Sequence, residues 1–88
     1  MMEQRIEKAE LVARVAARVQ KDADAVEDIV DATLEEIYQA LKRGETVSLR
    51  NFGTFYVREE RSNWVFRFNP SQRWRALFGW SSTYKGEL

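Results

Sequence analysis

"KRGETVSLRNFGTFYVR", residues 42–58, changes its period halfway, and that change decides the fold. Lys42, Arg43 and Gly44 read as the end of a helix. Cations suit the negative helix terminus, and glycine suits the left-handed position just beyond it. From Glu45 onward the period is two. Val47 and Leu49 point one way, Ser48 and Arg50 the other. Asn51 and Gly53 then mark a turn or bulge, because glycine adopts backbone angles that other residues resist. Beyond it, Phe55 and Val57 share one face and Tyr56 and Arg58 the other. A helical half therefore hands over to a sheet within this stretch.

Upstream, the spacing predicts two helices. The first runs from about Arg5 to Val19, with Leu11, Val12, Val15, Ala16 and Val19 as its apolar stripe. Lys21 to Asp24 break the pattern. Asp22 or Asp24 can cap the next helix, and Asp24-x-x-Glu27 has the form of a capping box. The second helix runs to about Lys42. Val26, Ile29, Val30, Thr33, Leu34, Ile37, Tyr38 and Leu41 hold the helical spacing for over four turns. That stripe is wide enough to face both the first helix and a second subunit.

Downstream, "VREERSNWVF" (57–66) reads as a strand, a short charged turn and a strand. Trp64, Phe66 and Phe68 share one face; Val65 and Arg67 share the other. One face of the three-stranded sheet is then Val47, Leu49, Phe55, Val57, Trp64, Phe66 and Phe68. The opposite face is Ser48, Arg50, Tyr56, Arg58, Val65 and Arg67. "NPSQRWRALFG" (69–79) predicts a short helix opening at Pro70 or Ser71, since proline is tolerated in a first turn. Trp74, Leu77 and Phe78 form its apolar face, and Gly79 ends it. The expected organisation is one α+β domain over residues 1–88. It has a helical hairpin (5–43), an antiparallel sheet (46–68), a C-terminal helix (70–79) and a tail (80–88).

Composition narrows the function. With 88 residues the chain buries a modest core and needs a staple. Cysteine is absent and so is histidine. That removes disulfides, the usual zinc sites, thiol nucleophiles and imidazole bases together, and leaves oligomerisation. The carboxylates sit mostly on solvated helix faces and form no general acid/base pair, so neither an enzyme nor a cofactor is expected. No apolar run approaches membrane-spanning length, and "MMEQRIEKAE" is too polar for a secretory signal. The expected location is cytoplasmic, with no membrane partner.

Net charge is zero, but the charges are segregated. Residues 1–45 carry seven Lys/Arg against eleven Asp/Glu, a net −4; residues 46–88 carry seven against three, a net +4. Two readings fit. Helices favour glutamate and strands tolerate arginine; alternatively, an acidic scaffold carries a basic surface for a polyanion. Aromatics are segregated as well: of eleven, only Tyr38 precedes residue 52. Ten in the last 37 residues are many for one small sheet to bury, which points to packing across a subunit interface.

Three blocks carry a family resemblance. "KAELVARVAARVQKDADAVEDIVDATLEEIYQALKRGETVSL" looks like a helical hairpin entering a first strand. "NFGTFYV" is similar to a Gly-Phe-Gly-Thr-Phe-x-Val strand turn. "FNPSQRWRAL" is similar to a Phe-x-Pro-Gly/Ser-Lys-x-Leu-Lys helix opening. Together, over about residues 8–79, they resemble the HU and integration host factor family of bacterial DNA-bending proteins. The resemblance implies an intertwined homodimer, with helices as a base and sheets as a saddle for duplex DNA. It also implies a nucleoid-associated protein. In that family a long β-ribbon arm follows the "FYV" strand, and a proline at its tip wedges between base steps. Here the same interval is "REERSNWVF", so a short hairpin stands in place of the arm. Reduced DNA bending is the expected consequence.

The resemblance implies DNA contacts at Lys8, at Arg50, Arg58 and Arg67 on the outer sheet face, and at Ser71, Gln72, Arg73 and Arg75 on the last helix. Arg61, at the tip of the turn, is a further candidate. Such contacts meet phosphates and carry little sequence information. Gln72 lacks the lysine charge usual in the family, whereas Arg75 keeps a cation. Glu59 and Glu60 would repel phosphate. Leu34, Ile37, Leu41, Phe52, Phe55 and Phe68 read as core and dimer interface. Trp64 and Trp74 read as core or dimer residues rather than stacking platforms for single strands. The other reading is a dimeric protein-interaction module with little DNA affinity, its contact made by the tail Trp80 to Leu88.

Overall fold

The computed structural model describes residues 4–79. The chain forms two compact units, Met1–Glu36 and Ile37–Leu88, so the boundary falls inside the second helix.

The helical unit contains α1 (Lys8–Val19) and most of α2 (Ala23–Lys42). Helix α1 starts three residues later than the sequence pattern places it. Glu7 is its N-cap, in extended conformation and without a side-chain cap bond. The apolar repeat begins only at Leu11, so Arg5 to Glu7 gain no burial by becoming helical. At the other end Gln20 takes a left-handed φ of 56°, and the Lys21 N–H donates to Ala16 O at 3.1 Å. The chain can then reverse. Asp22 caps α2: its Oδ2 accepts from the N–H groups of Asp24 (3.1 Å) and Ala25 (3.2 Å). The Asp24–Glu27 capping box is therefore not formed. Asp24 sits in the first turn, where its charge still suits the helix dipole. Val12, Ala16 and Val26 are buried, with Val15 and Val30 packed against them. Leu11, Val19, Ile29 and Leu34, on the same predicted stripes, remain exposed.

The second unit begins with the last turns of α2. Gly44 has φ +82°; its N–H donates to Leu41 O and the Glu45 N–H to Ala40 O, both at 2.9 Å. This pair of bonds is the Schellman closure expected for a glycine at that position. Three antiparallel strands follow in the order β1-β2-β3: β1 (Val47–Leu49), β2 (Gly53–Glu60) and β3 (Asn63–Pro70). Strand β1 stops at Leu49 because the Phe52 N–H returns to Leu49 O at 3.0 Å, with Asn51 at φ +66°. Arg50 is thus in a turn and not on the sheet face. Gly53 is required by close approach. A Cβ there would stand 2.6 Å from two Phe68 ring atoms and 2.7 Å from Asn69 O.

Strand β3 runs two residues beyond the expected Phe68, and α3 (Gln72–Phe78) starts correspondingly late. Pro70 pairs with Gly53 at the strand end instead of opening the helix. A missing N–H is tolerated in that place. Ser71 is the N-cap, its own N–H donating to Phe52 O at 3.1 Å. The apolar side of the unit is an aromatic cluster: Phe55 and Phe68 lie 4.8 Å apart, Phe52 and Phe68 5.7 Å, and Trp74 meets Phe52 edge-on at 5.5 Å.

Candidate nucleic-acid interface

The strand register separates two faces. Phe55 pairs with Phe68 and Val57 with Phe66, while Tyr56 pairs with Arg67 and Arg58 with Val65. Partners directly opposite in an antiparallel ladder share a face. The apolar and basic faces thus fall as alternation predicts, except for Arg50. The register adds residues that hydrophobicity alone does not advertise. Glu60 pairs with Asn63 on the basic face, and Glu59 pairs with Trp64 on the apolar one.

The hairpin that presents these faces is short. Only Arg61 and Ser62 lie between β2 and β3, at φ +53° and +69°. Two successive positive values are the geometry of a type I′ turn, whose twist matches that of the flanking strands. No ribbon arm extends from this hairpin. Pro70 lies at its opposite end, beside Gly53.

Glu60 organises the basic face. The Arg58 guanidinium grips its carboxylate through two nitrogens, Nε donating to Oε2 at 2.6 Å. Arg67 reaches it from β3, Nη2 lying 3.3 Å from Oε2 and 3.4 Å from Oε1. Arg58 and Glu60 are two residues apart on one strand, and the pairing of Tyr56 with Arg67 puts Arg67 on the same face, within side-chain reach of Glu60. The Arg58 hydrogen bond, reinforced by that of Arg67, holds the Glu60 carboxyl below its ordinary value. Taken from the sequence alone, Glu60 is a charge that repels phosphate. The period-two pattern that puts Arg58 on this face puts Glu60 there too; its contact with Arg67 needs the strand pairing as well.

The other predicted contacts are dispersed. Arg61 is exposed at the turn, and Gln72 and Arg73 are exposed on α3. Arg75 is half-buried, its Nη2 donating to Asn69 Oδ1 at 3.1 Å. Ser71 makes no side-chain cap bond. Lys8 belongs to the helical unit, where its ammonium lies 2.9 Å from Asp31 and 3.5 Å from Glu27. The hydrogen bond to Asp31 raises its pKa.

On the opposite face, Phe52, Phe55 and Phe68 cluster, yet none is fully covered. In the helical unit, Leu34 is 55% exposed. Trp64 is 71% exposed, so it is not a core residue of the single chain. A groove of about 460 Å³ runs beside it, lined by Tyr38, Leu41 and Gly44 from the end of α2 and by Val57, Trp64 and Phe66 from the hairpin. Trp80 and the rest of the tail lie outside the described residues. No helix among the described residues is long and apolar enough to cross a membrane.

Fold and site define an α+β chain whose small meander sets an arginine-bearing face against an aromatic one. The profile of the family described as Bacterial DNA-binding protein matches residues 6–74. The chain belongs to that family, and its type is that of HU and integration host factor. It is 53% identical over 55 residues to integration host factor subunit beta of Rhizobium radiobacter, covering 58% of this chain and 51% of that protein. It is 42% identical over 52 residues to DNA-binding protein HU-beta of Neisseria meningitidis, covering 59% and 58%. The match thus spans little more than half the length of these relatives. A mutant HU from Thermotoga maritima superposes with a TM-score of 0.77 at 33% identity, over 83% of this chain and 99% of that one.

Proposed function

We propose that this protein is a homodimeric, sequence-tolerant binder of duplex DNA, associated with the nucleoid, that bends DNA less than armed relatives do. The observation that carries the reading is the sheet itself. Arg58 and Arg67 share its polar face, Arg61 extends it at the turn, and the opposite face is aromatic. Guanidinium groups on a strand surface can grip backbone phosphates, contacts that carry no sequence information directly. Family membership supports DNA as the polyanion. Arg73 and Arg75 on α3 and Lys8 on α1 are the supporting cations. Arg50 reaches the duplex from the turn rather than from the sheet. Bending is reduced because a two-residue turn carries no wedge residue between base steps.

The test is a titration of duplex DNA at several salt concentrations with a bending readout. The wild type should bind at low salt and weaken as salt rises. The triple variant Arg58→Ala, Arg61→Ala, Arg67→Ala should lose at least about tenfold in affinity at low salt. Undiminished binding by that variant would refute the assigned face.

A second reading is a dimeric protein-interaction module with little DNA affinity. Glu60 favours it, because it occupies both arginines of the sheet face with an internal carboxylate. Failure of the wild type to bind duplex at low salt would select this reading.

A further inference from the structure

We propose that Arg58, Arg67 and Glu60 form a phosphate seat that the chain fills with its own carboxylate, so that Glu60 sets the strength and salt dependence of DNA binding. The inference rests on the DNA-binding reading and goes beyond it by naming the residue that restrains the activity.

The geometry is that of a seat already taken. A carboxylate and a phosphodiester present the same feature to guanidinium, a pair of anionic oxygens that a planar fork can grip. Glu60 offers both of its oxygens. Oε2 takes the Arg58 Nε at 2.6 Å and Arg67 Nη2 at 3.3 Å, and Oε1 lies 3.4 Å from the same Arg67 nitrogen. A backbone phosphate approaching this face meets two arginines whose charge is partly spent. It must either displace Glu60 or accept weaker contacts beside it. Both routes lower affinity and the number of counterions released on binding.

The arrangement is also held in place. The two-residue turn after Glu60 fixes the register that pairs Glu60 with Asn63 and Tyr56 with Arg67. The register keeps the three side chains rooted on one face, within reach of one another. The carboxylate is therefore tethered beside its arginines at high effective concentration. Glu59 supplies an internal comparison. It carries the same charge one residue away, but pairs with Trp64 on the opposite face.

The experiment is a salt titration of a short mixed-sequence duplex with the full chain, comparing wild type, Glu60→Gln and Glu59→Gln. At about 50 mM salt E60Q should bind about tenfold more tightly, with a log–log salt slope steeper by roughly one to two per chain. E59Q should stay near wild type in both readouts. Glu60→Thr, neutral and strand-favouring, serves as a second variant, and a thermal melt of each verifies folding. Wild-type affinity and slope in both Glu60 variants, or an equal gain in E59Q, would overturn the seat while leaving the DNA-binding reading intact. Absence of binding by every protein at low salt would overturn that reading and the seat with it.

Discussion

At the scale of single residues, Glu60 is where structure changes the meaning of sequence most. Counted as a charge, it opposes DNA binding. Placed by register, it is the partner of two arginines, and its protonation becomes coupled to the hairpin. Its carboxyl titrates below the ordinary 4.5 because hydrogen bonds from Arg58 and then Arg67 favour the charged form. A carboxylate whose folded-state value is depressed stabilises the fold fully above its unfolded-state value. That contribution is lost as pH falls through the folded-state value. The stability difference between wild type and E60Q should therefore be flat from neutral pH down to the ordinary glutamate range. It should shrink below that range. Denaturant midpoints measured across acidic pH check this, and a difference that persists unchanged at the acid end would show that the arginines do not hold Glu60. Lys8 titrates in the opposite sense. Its pKa is raised by Asp31, so its contribution is lost only as pH climbs beyond the ordinary lysine value.

At the scale of elements, the β2–β3 turn is the least optimised feature. Both of its residues are left-handed, and neither is the Asn-Gly pair that such turns favour. Arginine and serine in left-handed positions each cost about 1 kcal/mol relative to residues that adopt them freely. The double variant Arg61→Asn, Ser62→Gly should raise stability by about 1 kcal/mol, seen as a higher midpoint in thermal or denaturant unfolding. A fall in the midpoint would mean that the hairpin does not close through this turn. Elements were also where the sequence was most legible. The helix-to-strand change at Gly44 and the two faces of β2 and β3 follow from periodicity, which is strong when a face alternates over eight residues. Ends were less legible because they depend on single hydrogen bonds. Asp22 rather than Asp24 caps α2, and one Phe52–Leu49 bond removes Arg50 from β1. Capping and turn closure involve one side chain or one N–H, and no repeat announces them. The Glu60 contacts were hidden for another reason: they need the pairing of two strands, which one strand's pattern does not state.

At the scale of the whole molecule, the single chain leaves its apolar residues uncovered. Among the described residues only Val12, Ala16 and Val26 are buried hydrophobics, while twelve large hydrophobic residues are exposed. Exposed single hydrophobics are ordinary, but a wide helix stripe and an aromatic sheet face together are not. No cysteine is present to staple the chain, and the proposed second copy would bury that surface. The dimer proposed above makes a prediction that a stable monomer would not. Leu34 is 55% exposed on α2, in the middle of the stripe. If the chain were folded and alone in solution, Leu34→Glu would be a surface change, worth within about 0.5 kcal/mol. If Leu34 lies against a second copy, the same change buries a carboxylate in an apolar interface and costs several kcal/mol, on the order of 3. Sedimentation equilibrium should give twice the chain mass for wild type and a large rise in the dissociation constant for L34E. The wild-type melting temperature should also climb with protein concentration, as it must when folding and association are coupled. A monomeric wild type whose melting temperature is independent of concentration and unchanged by L34E would remove the dimer. The arginine face would then meet DNA as an isolated hairpin rather than as half of a saddle.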